Sequence, residues 1–85
     1  MRKRGQAARN AAELHLGESG VVDSVGGAGA LHRRLIDLGF TPNVRVTLRR
    51  VAPLGDPVEL RLRGYSLTLR RADAATIRLK EARGA

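Results

Sequence analysis

From Val44 onward the chain alternates apolar and polar residues in three successive runs. Val44, Val46 and Leu48 alternate with Arg45, Thr47 and Arg49. Val58, Leu60 and Leu62 alternate with Glu59, Arg61 and Arg63, and Tyr65, Leu67 and Leu69 with Ser66, Thr68 and Arg70. A period of two sends successive side chains to opposite faces of an extended backbone, so each run predicts a half-buried antiparallel β-strand. The apolar faces together make a small core. The opposite faces are dominated by arginine.

Turn chemistry separates the runs. Pro42-Asn43 leads into the first of them: proline fixes the first central position of a turn, and asparagine tolerates positive φ at the next. Pro53-Leu54-Gly55-Asp56-Pro57 joins the first run to the second, and its two prolines cannot donate to a ladder, so pairing stops there. Gly64 supports a tight hairpin between the second and third runs.

Upstream, Leu14 and Leu16 flank His15 in a first short alternation, and Gly17-Glu18-Ser19-Gly20 reads as a turn. Val21, Val22 and Val25 form a strand that Gly26-Gly27-Ala28-Gly29 breaks. The one convincing helix follows, Ala30 to Leu38, with Leu31, Leu35 and Leu38 on one stripe at ~100° per residue. Ile36 lies off that stripe, and Arg33 and Asp37 form an i, i+4 pair on the far side. Gly39 suits a left-handed helix cap, behind which Phe40 packs back. Arg71 to Thr76 reads as one helical turn, and Ile77 and Leu79 as a last short strand. The expected fold is mainly β: a small SH3-like barrel of five to six strands, with one short helix after the first strand and a helical turn before the last. Phe40 and Tyr65 are both expected in its core. The expected division is a flexible basic leader over residues 1–12, the barrel over 13–81 and a frayed C-terminus over 82–85.

Eighty-five residues make one domain with a modest core. The chain has no cysteine, which removes disulfides, thiolate metal sites and thiol nucleophiles and fits a reducing compartment. No apolar run approaches the ~18 residues of a membrane span, and the basic start leads into no hydrophobic stretch. A cytoplasmic location is expected. The formal charge is +8, and Arg2, Lys3, Arg4 and Arg9 in the leader supply half of that excess. All but two of the sixteen basic residues are arginine, a composition that a coding bias also produces.

Charge raises nucleic acid as a partner, but single-strand binding barrels stack bases on aromatic side chains. This chain has one phenylalanine and one tyrosine, Phe40 and Tyr65, both read as core. Without a stacking platform, charge gives salt-sensitive, non-specific association, so no specific nucleic acid is expected. The glycine-rich stretch before the helix matches neither the P-loop nor the dinucleotide fingerprint, so no nucleotide cofactor is expected. The two histidines, His15 and His32, are weak metal candidates, with Glu13, Glu18 or Asp37 as oxygen donors. They stand seventeen residues apart without local pairing, so no tightly bound metal is expected. Transient coordination between copies stays open, as does self-association. No nucleophile, base and orienting group are spaced to converge, so no catalytic residue is assigned.

Protein recognition rests on apolar residues in a charged frame. Leu54 tops the loop of Pro53, Gly55, Asp56 and Pro57, where burial in the chain's own core is awkward. Proline-stiffened loops carrying an apolar anchor reduce the ordering cost of binding. The other reading, a tight connector with Leu54 folded on the barrel, stays open. Ile36 and Arg34 extend the candidate surface onto the helix, where Arg34 either meets a partner carboxylate or ties helix to sheet.

Three segments in order, GALHRRLIDLGFTP (29–42), APLGDPVE (52–59) and RGYSLTLRR (63–71), closely resemble the FeoA family, and the likeness covers about residues 14–80. The resemblance implies an SH3-like barrel, no catalytic activity, and a cytosolic accessory role beside FeoB, a membrane transporter of ferrous iron. It implies peripheral contact with the inner face of the membrane when the transporter is bound, to which the basic leader would add a weak lipid contact. The chain departs from the family's usual Pro-Gly at Pro42-Asn43 and from its usual leucine at Ala11. The alternatives are a basic barrel that binds RNA or DNA, and a metal-responsive module similar to the C-terminal domain of DtxR-type repressors.

Overall fold

The inward residues of the alternating runs meet across one ladder. In the computed structural model, which describes residues 8–83, five antiparallel strands form a single sheet. They are β1 (Ser19–Val25), β2 (Arg45–Val51), β3 (Val58–Leu62), β4 (Tyr65–Leu69) and β5 (Ile77–Arg83), in spatial order β4-β3-β2-β1-β5. Helix α1 (Gly29–Leu38) follows β1, and the short α2 (Arg71–Ala74) precedes β5. Val46 pairs with Leu62, Leu48 with Leu60, and Leu60 with Leu67, so the period-two pattern stacks apolar on apolar. Val22, Leu35, Phe40, Val46, Leu60, Leu62 and Ile77 are fully buried and make the centre of the core. No polar or charged side chain among the described residues is buried.

The turns follow their chemistry. Asn43 takes φ 73°, and the amide of Val44 donates to the carbonyl of Thr41 at 3.2 Å. Arg63 (φ 49°) and Gly64 (φ 84°) close the β3–β4 hairpin with two left-handed residues, the backbone that matches strand twist. Gly39 ends α1 at φ 113°, with its amide donating to Ile36 at 3.0 Å and that of Phe40 to Leu35 at 3.1 Å. These are the two bonds of a Schellman motif, and they turn Phe40 into the core.

Four expectations are corrected. The Leu14–Leu16 alternation is no strand: a single 3-10 turn over Ala11–Glu13, capped by Asn10, precedes it, leaving Leu14 buried and Leu16 exposed. Strand β1 starts at Ser19, because Ser19 and Gly20 already pair with Thr47 and Val46. At the amino end, the described chain already packs on the barrel at Ala8, ahead of residue 13. Ala8 and Ala11 are buried, the amide of Leu79 donates to the Arg9 carbonyl at 2.9 Å, and Asn10 bridges Arg78. Their small side chains let this segment lie along β5; residues 1–7 fall outside the described part. At the other end β5 continues through Arg83, opposite Ser19, so residues 82–83 are paired rather than frayed. Residues 84–85 also lie outside the described part.

Candidate functional site

The β2–β3 connection carries Leu54, the most exposed large apolar side chain among the described residues. Its base is set by the last strand pair, Val51 with Val58, and by the amide of Ala52 donating to the Pro57 carbonyl at 3.0 Å. At the turn itself the amide of Gly55 donates to Ala52 at 2.7 Å, with Gly55 at φ 91°, and the Asp56–Pro57 peptide is cis. A carboxylate oxygen of Asp56 accepts from the backbone amide of Arg71 at 2.9 Å, tying the loop to the start of α2. The Arg71 guanidinium lies beside Gly55, 3.4 Å from where a Cβ would stand. On this held frame Leu54 is 96% exposed and Val51 43%. The reading with Leu54 folded on the barrel is therefore set aside. Pro53, Asp56 and Pro57 are also exposed, with Gly55 half-buried.

The helix contributes differently from expectation. Leu35 faces the core, and Leu31, Leu38 and Ile36 are half-buried against it. Ile36 is thus committed to packing, because the barrel's end covers a wider arc of α1 than the leucine stripe alone. Arg34 is exposed beside Arg33 and Asp37 and makes no hydrogen bond to the sheet among the described residues. The tie between helix and sheet comes from the β3–β4 hairpin. There the Tyr65 hydroxyl donates to the Leu38 carbonyl, and Arg63 donates to the Thr41 hydroxyl at 3.0 Å. Tyr65 is 42% exposed rather than in the core, since its inward phase falls at the rim, where the phenol reaches out to the end of α1.

The histidines sit on separate segments. His15 is exposed before β1, and His32 on α1 places Nδ1 3.4 Å from the Gly26 carbonyl. Among the described residues no three His, Asp or Glu side chains gather where they could hold a metal ion. No helix among those residues is long and apolar enough to cross a membrane. The outward positions of β2 and β3 carry Arg45, Arg49, Arg50 and Arg61, all exposed, with Glu59 the one acidic residue on these two strands.

Known proteins match this architecture. A fusion protein of Porphyromonas gingivalis, Fe(2+) transport protein A joined to the Fe(2+) transporter FeoB, is 40% identical over 68 residues, 80% of this chain. This chain spans 8% of that fusion. The zinc-complexed FeoA of Stenotrophomonas maltophilia, described as a prokaryotic SH3 domain protein, superposes with a TM-score of 0.81 at 28% identity, covering 91% of this chain and 98% of that one. FeoA of Chlorobium tepidum does so with a TM-score of 0.75 at 38% identity, covering 84% and 70% respectively. The FeoA domain model matches residues 10–81, starting at the bridge residue Asn10 and reaching into β5, and the chain belongs to the FeoA family.

Proposed function

We propose that this chain is a non-catalytic accessory module of ferrous iron uptake. It docks on the cytoplasmic part of a FeoB-type transporter through the β2–β3 loop, with Leu54 as anchor and Arg34 as a flanking contact. The observation that carries this reading is Leu54, 96% exposed on a loop tied at its base, its turn and Asp56. An apolar side chain held out in advance loses little freedom on binding and gains burial on a partner. The fusion in Porphyromonas gingivalis, where related residues and a FeoB transporter share one chain, supports the choice of partner. Docking changes transport to the extent that it binds one transporter conformation better than another.

Co-purification with FeoB tests the reading. Leu54→Ala is expected to weaken association by roughly tenfold or more, as truncated interface anchors do, with an unchanged melting temperature. Arg34→Ala is expected to have a smaller effect. Wild-type association of Leu54→Ala would remove the loop from the interface.

A further inference from the structure

The outer face of the β2–β3–β4 sheet is a separate surface. Register places Thr47 opposite Arg61 and Arg61 opposite Ser66, while Arg50 stands opposite Glu59 and Glu59 opposite Thr68. Arg45, two residues along β2, is a diagonal neighbour of Arg61, a relation that puts Cα atoms roughly 7–8 Å apart. Arg49 joins them at the irregularity between Leu48 and Arg50. Four arginines thus share a face with a single carboxylate. None of the four side chains has a hydrogen-bond or ion-pair partner among the described residues. Neighbouring like charges on a sheet repel and cost stability. A complementary anion would relieve that repulsion.

We propose that this face binds the phosphates of an anionic phospholipid surface. Guanidinium groups engage phosphate oxygens in paired hydrogen bonds, and polybasic surfaces are held by the anionic leaflet. The other outward positions, Thr47, Ser66 and Thr68, are polar, so the face has no apolar centre of the kind a protein interface requires. It also carries no aromatic side chain on which a base could stack: Phe40 is buried, and Tyr65 turns to Leu38. The choice of lipid over a nucleic-acid backbone rests on the transporter reading above, which brings the chain to a membrane.

The test is co-sedimentation of the full chain with vesicles, without transporter, at about 0.15 M salt. Vesicles of phosphatidylcholine alone are compared with vesicles containing phosphatidylglycerol. Binding is expected to the anionic vesicles only. R45Q/R61Q is expected to lose at least about tenfold, at roughly fivefold per arginine near an anionic surface. R33Q/R34Q removes equal charge from α1 and is expected to lose much less; melting curves establish that both variants are folded. Absence of sedimentation would overturn the proposal, as would equal losses in the two variants, which would mean that net charge alone is at work. Tighter binding to an oligonucleotide, lost in R45Q/R61Q, would overturn it in favour of nucleic acid. Because the assay holds no transporter, its failure leaves docking through Leu54 standing, and failed co-purification leaves vesicle binding standing.

Discussion

Leu35 and Leu54 are the same side chain in opposite surroundings, one fully buried and the other 96% exposed. Leu35→Ala leaves a cavity under α1 and is expected to cost roughly 2–5 kcal/mol in denaturant unfolding. Leu54→Ala removes no intramolecular packing and is expected to stay within about 0.5 kcal/mol of the parent. A loss at Leu54 matching that at Leu35 would sink the idea of a free docking tip. Tyr65 gives a finer test. Its hydroxyl satisfies a carbonyl at the end of α1, one of the groups a helix leaves unpaired. Tyr65→Phe is expected to cost about 0.5–1.5 kcal/mol, toward the lower end because the rim is solvated. That role was illegible in the sequence: period two gives the phase of a side chain, but not its distance from the barrel's edge.

At the scale of elements, legibility tracked how strongly each segment's own pattern constrains it. The β2, β3 and β4 strands and their two-residue hairpin are written in alternation and in Gly64, so their pairing was readable. The position of the β2–β3 loop was readable because prolines bracket Leu54, whereas the exposure of Leu54 was not, since the sequence left both a free tip and a folded connector open. Strand β5 was read short, because Glu81–Arg83 pair through the backbone, which is indifferent to side-chain polarity. The segment 8–12 was missed because alanine carries little hydrophobic signal, although Ala8 and Ala11 are buried. Which exposed arginines lack partners was also beyond the sequence, since it depends on cross-strand register. For the loop, Asp56 is the decisive side chain: its bond to the Arg71 amide joins two elements distant in sequence. Asp56→Ala is expected to speed hydrogen exchange at the Arg71 amide and to weaken transporter association while leaving the strands protected. Unchanged exchange at Arg71 would show that the loop is held by its own backbone bonds and prolines without Asp56.

For the whole molecule, the question is where the folded unit starts. The amino-terminal segment closes one side of the barrel: Ala8 and Ala11 are buried, Arg9 and Asn10 meet β5, and Asn10 caps the turn over Ala11–Glu13. Removing residues 1–12 therefore does more than remove charge. It takes away the buried methyls of Ala8 and Ala11, exposing the core surface they cover, and removes the bond from Leu79 to Arg9, for an expected loss of roughly 2–3 kcal/mol. Removing residues 1–7 keeps all of these contacts and takes away Arg2, Lys3 and Arg4. Its melting temperature is expected to match the full chain, and any change in lipid or transporter association then reports on charge alone. If the two truncations melt alike, the segment 8–12 adds nothing to stability and the barrel starts at residue 13 after all. If the shorter cut is the one that loses association with no loss of stability, the charge of Arg2, Lys3 and Arg4 adds to that of the arginine face in holding the partner.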